Sequence, residues 1–276
     1  PLFLLFSKKF ETYGFENDKK KIECLKQKKS YIADIKSSHI KRIKIGNLFL
    51  NNLEKINECS HIIFTLPTPI KNYKPDLRYY VKSVNNIFKF IKKGQTLIFE
   101  STVYPGATEE LFLKKLNNKF KVGKELFLCY SPERVDPGKT RKKKLNLQNI
   151  NKLVSGHSQK CLKKIYKLYS SVFENLYKCT SIKEAECAKV YENTFRYVNI
   201  SFVNEFKIIC DKLNIDVNRV IDASATKPFG FKAFRPGPGI GGHCIPVDPF
   251  YLKWFAQKYN VKTKFIDTSK KLNKDL

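Results

Sequence analysis

Residues 60–66 read S-H-I-I-F-T-L and run straight into Pro67-Thr68-Pro69. An apolar run this short and this continuous, without alternation, suits a strand covered on both faces, as in parallel sheets. The prolines stop the strand sharply at its carboxyl end, which is where α/β proteins bind ligands. Working outward, the pattern recurs. Asp76 caps a helix reaching Ile91, residues 96–100 form a second strand, and Ser101-Thr102-Val103-Tyr104-Pro105-Gly106 turns into another helix. Residues 126–130 form a third strand closing on Ser131-Pro132-Glu133-Arg134, and the basic loop 139–144 after it reads as solvated surface. A strand over 152–155, a helix to about Glu174 and a short strand near Tyr177 follow. Toward the amino terminus, residues 2–10 read as the later part of an amphipathic helix and 12–16 as a strand. Asn17 and Asp18 open the next helix. Strand-helix alternation of this kind predicts an α/β fold, a Rossmann-like doubly wound parallel sheet over residues 1–180. Glu16, at a strand end, stands where a dinucleotide fold bonds ribose hydroxyls, and serves equally as a helix-capping carboxylate.

The chain of 276 residues, 42% of them apolar, is long enough for two domains. It holds no methionine, even at position 1, and is expected to be a segment of a longer product. The net charge of +28 raises the question of a nucleic-acid partner, but 46 of the 53 basic residues are lysine. Arginine is the usual choice for bidentate and stacking contacts to bases, so the excess reads as lysine surface that attracts acidic small molecules. No nucleic-acid partner is expected. The eight cysteines form no C-x-x-C pair and no Cys/His cluster at zinc spacing, so no metal is expected, and their scatter fits thiols in a cytoplasmic protein. No membrane partner is expected, because the opening P-L-F-L-L-F is too short for a span and lacks the features of a signal peptide.

In the second half, Ser181-Ile182-Lys183-Glu184 is a capping box opening a helical pattern to about Leu213 with no internal glycine or proline. Apolar residues fall on nearly every face, which predicts a helix buried most of the way round or covered by a second subunit, hence a homodimer. Glu186, Lys189 and Asn193 make one polar stripe on this greasy rod, either a simple Glu186–Lys189 pair or groups held for use. Asp216 caps a short helix to Ala225, and residues from Tyr251 onward read as helical, so 181–276 is expected to be an all-helical domain. Between them lies F-R-P-G-P-G-I-G-G-H-C-I-P-V-D-P-F-Y-L, residues 234–252. Glycine and proline in such density give a loop of defined path with exposed N–H groups, suited to an anion. Cys244, beside His243 and four residues before Asp248, stands in a nucleophile's setting.

Taken in order, T-L-P-T-P (65–69), E-S-T-V-Y-P-G (100–106), S-P-E-R-V-D-P-G (131–138), A-E-C-A-K-V-Y-E-N (185–193), N-E (204–205) and G-G-H-C-I-P-V-D-P (241–249) make the whole chain resemble the UDP-glucose/GDP-mannose dehydrogenase family. Within it, the K-P-F-G-F stretch and the cysteine loop look most like the branch acting on UDP-N-acetylhexosamines, with UDP-N-acetylglucosamine the expected substrate and polysaccharide synthesis the expected use. The resemblance implies NAD as cofactor and a twofold oxidation at C6, through an aldehyde to a carboxylate. It implies that Cys244 attacks the aldehyde, that Lys189 and Asn193 stabilise the oxyanion, that Asp248 and Glu133 move protons and activate water, and that Thr102 anchors a water or the cofactor. Glu16, Thr65, Pro67, Thr68, Glu100, Ser101 and Thr102 are then the cofactor contacts. Glu133, Arg134, Lys189, Asn193, Arg235, Gly237 and Gly241 are the substrate contacts. Two departures stand out: the chain is expected to start just after the glycine-rich turn that cradles the pyrophosphate, and to stop before the domain that binds UDP. The alternatives are UDP-glucose, UDP-N-acetylmannosamine or UDP-N-acetylgalactosamine as substrate, a β-hydroxyacid-type dehydrogenase that needs no cysteine, or a basic nucleic-acid-binding protein.

Overall fold

The computed structural model describes residues 1–32, 35–41, 48–49, 53–134, 150–242 and 244–273, with the backbone alone at 48–49. The basic loop 139–144 and His243 lie outside the described residues. The chain forms two compact units: Pro1–Leu66, Arg78–Ser101 and Thr108–Ala185 make the first, and Pro67–Leu77, Thr102–Ala107 and Glu186–Leu276 the second.

In the first unit the elements run α1 (Leu2–Phe6), β1 (Gly14–Phe15), α2 (Lys19–Lys26), α3 (Ser37–Ile40), β2 (Leu48–Phe49) and β3 (His61–Phe64). A hairpin of the second unit follows, β4 (Ile70–Lys71) with β5 (Lys74–Pro75). The first unit resumes with α4 (Arg78–Phe88), β6 (Thr96–Phe99), α5 (Ala107–Asn117), β7 (Phe127–Tyr130), β8 (Lys152–Gly156), α6 (Gln159–Ser170) and β9 (Leu176–Lys178). β1 and β2 pair in parallel, and the main sheet has the order β3-β6-β7-β8-β9. β3, β6 and β7 are parallel, with Ile63 opposite Ile98 and Ile98 opposite Cys129. β8 then enters antiparallel to β7, with Tyr130 opposite Ser155, and β9 runs parallel to β8.

The continuous apolar runs follow from cover on both faces. On one side Phe64 stacks on Phe99 at 4.5 Å, Phe99 stacks on Phe112 of α5 at 5.0 Å, and Tyr80 of α4 meets Phe112 edge-on. On the other, Ile98, Cys129 and Val154 pack into a cluster with Leu5, Phe6, Ile165 and Tyr169. Gly156 is required where α6 crosses the end of β8, since a Cβ there would lie 2.4 Å from the Leu162 nitrogen. The amino-terminal elements are shorter than the sequence predicts: α1 unwinds after Phe6 through tighter turns at Lys8 and Lys9, and β1 is limited to the two residues that β2 pairs.

The second unit is built on α7 (Ile182–Lys212), with α8 (Val217–Ala225), α9 (Asp248–Gln257) and α10 (Lys264–Leu272). Ser181 Oγ accepts from the Glu184 N–H, and Glu184 reaches back to the Thr180 N–H, so the capping box closes as read. Asp216 caps α8 by accepting from the Asn218 N–H. α9 starts three residues earlier than expected because the Val247 and Asp248 N–H groups both donate to the Cys244 carbonyl. Tyr197, Ile245, Phe250 and Ile266 form one core, and Val203, Cys210, Val217 and Ile221 another. α7 is not buried all round in the single chain. Tyr191, Phe195, Phe202 and Ile209, exposed by 64%, 39%, 63% and 51%, recur at spacings that place them in one stripe.

Candidate active site

Opposite that exposed stripe, α7 carries polar groups inside. Glu186, Lys189, Asn193, Ser201 and Asn204 are all buried, and Glu186, Asn193 and Asn204 share one line along the helix. A buried polar side chain is costly without a partner, so where each one goes shows what the helix holds. Glu186 accepts from the Gly106 N–H at 2.5 Å. Gly106 sits at φ +89°, a conformation that glycine enters without strain, and its turn carries Thr102. The sequence allows a Glu186–Lys189 pair, and one oxygen of the Glu186 carboxylate fixes that turn.

Two turns further, Asn193 Nδ2 donates to Asp248 Oδ2 at 2.5 Å. Asp248 begins α9 and is 2% exposed, and its carboxyl pKa is pushed up to about 6 by burial, with the Lys189 charge and the Asn193 bond opposing the rise. Cys244, half-buried, stands one turn before it, tied by its own carbonyl to the first N–H groups of α9. Lys189, Asn193, Asp248 and Cys244 thus come from two elements joined by a direct side-chain bond. Farther along α7, Asn204 Oδ1 accepts from the Gly237 N–H at 2.9 Å, anchoring the glycine–proline loop, while its Nδ2 has no hydrogen-bond partner among the described residues. Only the N-E motif drew attention to Asn204; its eighteen-residue spacing from Glu186 was the available signal.

The remaining predicted residues divide. Arg235 donates to Asp222 and to the Asn218 carbonyl of α8, and Gly241 is exposed with open space around it. Thr68 receives the Tyr251 hydroxyl on its carbonyl at 3.0 Å, and Pro67 is exposed. In the first unit Thr65 is exposed at the end of β3. Glu16 accepts from the Asn17 and Asp18 N–H groups and pairs with Lys21 at 3.5 Å, so it organises the start of α2, which Asp18 caps. Glu100 and Ser101, read as cofactor contacts, are both buried. Glu100 is fully enclosed between Lys152 and Tyr169, and Ser101 donates to the Leu66 carbonyl. Glu100 is the residue after β6, and its side chain meets Tyr169 of α6 on the face opposite the one where Phe99 packs on α5. Glu133 is half-exposed at 3.6 Å from Lys152, and Arg134 donates to the Asn151 carbonyl.

The NAD binding domain model of the UDP-glucose/GDP-mannose dehydrogenase family matches residues 3–173, and the central domain model of the same family matches 183–275. The chain belongs to this family. Among curated members it is 39% identical over its whole length to Protein CapL of Staphylococcus aureus, and 38% identical to a UDP-N-acetyl-D-glucosamine 6-dehydrogenase of Salmonella typhi. It spans 64% of the length of each of these relatives. The structure of a UDP-D-ManNAc dehydrogenase from Pyrococcus horikoshii superposes with a TM-score of 0.87 at 28% identity, covering 99% of this chain and 65% of that one. Family membership makes NAD the cofactor to be accommodated. In an α/β sheet the nucleotide lies at the carboxyl ends of parallel strands, and here β3, β6 and β7 end side by side with Thr65 exposed.

Proposed function

We propose that this chain carries the NAD-binding (1–180) and central (181–276) domains of an enzyme that oxidises C6 of a UDP-N-acetylhexosamine to the uronate, for polysaccharide synthesis. The single observation that supports this reading best is the Asn193–Asp248 bond, which ties the helix bearing Lys189 to the segment bearing Cys244. Bound NAD supplies the hydride acceptor for both oxidations, with Glu16, Thr65, Pro67, Thr68 and Thr102 assigned to hold it. Hydride departs readily from a tetrahedral carbon bearing oxygen, so the aldehyde stage needs a nucleophile, and the Cys244 sulfur adds to the carbonyl carbon. Lys189 and Asn193 give a cation and an amide donor to the developing oxyanion, where loss of one such donor costs about 10² to 10³ in rate. Asp248, buried and poised between protonation states at mildly acidic pH, exchanges the proton of the reacting oxygen, and Glu133 deprotonates the water that releases the product. Arg134, Arg235, Gly237 and Gly241 are assigned to the sugar nucleotide.

UDP-N-acetylglucosamine is the favoured substrate, because the Salmonella typhi relative bearing that name is 38% identical, whereas the Pyrococcus horikoshii UDP-D-ManNAc dehydrogenase is 28% identical. UDP-N-acetylmannosamine is the second reading on the strength of the latter's fold. Two copies associate through the exposed aromatic stripe of α7. A cytoplasmic site fits eight cysteines without a disulfide and the absence, among the described residues, of any helix long and apolar enough to cross a membrane. NADH formation by the complete protein, measured against UDP-N-acetylglucosamine, UDP-N-acetylgalactosamine, UDP-N-acetylmannosamine and UDP-glucose, tests the assignment. NADH is expected with the first, and none with any of the four refutes it.

A further inference from the structure

The first unit hides a charged cluster that the proposed chemistry does not use. Lys152, with a side chain 3% exposed, donates to Glu100 Oε2 at 2.9 Å, and the other oxygen of Glu100, itself 1% exposed, accepts from the Tyr169 hydroxyl. A buried ion pair is a poor way to hold a fold together, since well-packed apolar residues of the same volume serve as well or better. A lysine ammonium also has three protons to place. The second carboxylate near it is Glu133, at 3.6 Å, whose side chain keeps 41% of its exposure. The neighbouring Arg134 donates through Nη1 to the carbonyl of Asn151, the residue before Lys152, at 2.6 Å. The segment 133–134 is therefore docked at two adjacent points on the start of β8.

Strand direction makes this possible. Because β8 runs antiparallel to β7, its first residue lies at the carboxyl edge of β6 and β7, beside Glu100 and the segment that follows Tyr130. A parallel strand would bring its last residue there.

We propose that Lys152, clamped from beneath by Glu100 and Tyr169, is the positioning residue that fixes Glu133 in place for thioester hydrolysis. The proposal rests on the reading of Glu133 given above. In that step a water oxygen bonds to the acyl carbon and one water proton passes to the Glu133 carboxylate. The electron pair of the broken C–S bond stays on the Cys244 sulfur, and the acid formed loses its proton to solvent. Without Lys152 the Glu133 carboxylate, which also accepts from the Arg134 N–H at 2.7 Å, loses its cation, and hydrolysis of the acyl group on Cys244 slows.

Lys152→Met alone leaves Glu100 buried without its cation and is expected to fold badly, so the informative variant is Lys152→Met with Glu100→Gln, which removes both charges at nearly constant volume. The complete protein is mixed with UDP-N-acetylglucosamine and NAD, NADH is followed from the first turnover, and intact mass reports what is attached to Cys244. The double variant is expected to keep its first, rapid NADH release, to form carboxylate at least about tenfold more slowly, and to accumulate the acyl adduct. A purely structural role for Lys152 predicts normal turnover without adduct once the pair is removed together, and that result overturns the proposal. Glu133→Gln separates the two layers. An adduct with Glu133→Gln and none with the double variant refutes the role of Lys152 alone, whereas none with either refutes the role of Glu133 as well.

Discussion

At the scale of single residues, Asp248 is the group whose state is most open to measurement. Its carboxyl pKa of about 6 lies above the ordinary aspartate value near 3.9, so the folded protein binds this proton more tightly than the unfolded chain. The stability it contributes is full below about pH 4 and is lost as pH rises through about 6, where a buried negative charge appears. Asp248→Asn is therefore expected to stabilise the protein by about 1–2 kcal/mol at pH 8 and by little at pH 4, read from urea unfolding at the two values, while activity falls sharply. An equal gain at both values would show that the carboxyl is not the cause. Cys244→Ser tests the neighbouring group. Carboxylate formation is expected to disappear while the fold and the thermal midpoint are retained, and undiminished carboxylate formation would eliminate the covalent route.

At the scale of elements, α7 has two working faces. The inner line fixes the turn bearing Thr102 through Glu186, the start of α9 through Asn193 and the glycine–proline loop through Asn204. The outer line presents Tyr191, Phe195, Phe202 and Ile209 to solvent in the single chain, a stripe of exposed large apolar side chains such as marks contact surfaces. Phe202→Glu places a charge in the middle of that stripe. The expected result is a shift from dimer to monomer in sedimentation velocity at micromolar concentration, with secondary structure unchanged; a monomeric unaltered protein would refute the self-association. Sequence periodicity alone could not separate an apolar face packed inside from one left outside, because both obey the same spacing.

At the scale of the whole molecule, the net charge of +28 makes the chain repel itself. Raising ionic strength from about 20 to about 200 mM is expected to raise the thermal midpoint by a few degrees, since the shorter Debye length screens repulsion among like charges. A midpoint that falls with salt would mean that ion pairs outweigh repulsion. The strands of the sheet were legible because β3, β6 and β7 are covered on both faces and read as unbroken apolar runs. The direction of β8 was not, as Lys152-Leu153-Val154-Ser155 carries the same signal whichever way it is laid. Nor was the inward turn of Glu100 legible, because a carboxylate at a strand end looks identical whether it faces a ligand or a buried lysine. Around Cys244, residue types and order pointed to the cluster, whereas the bond between Asn193 and Asp248 depends on where α9 begins, and that is set by backbone bonds to the Cys244 carbonyl.

Eighteen residues separate Glu186 from Asn204, which is about five complete turns, and for this reason the two ends of the inner line point the same way. Deleting one residue between them would swing one anchor by about 100° relative to the other, releasing either the turn of Thr102 or the loop of Gly237. The helix behaves as a ruler: substitutions along its length are graded in effect, but any change in its count of residues puts its two anchored ends out of phase.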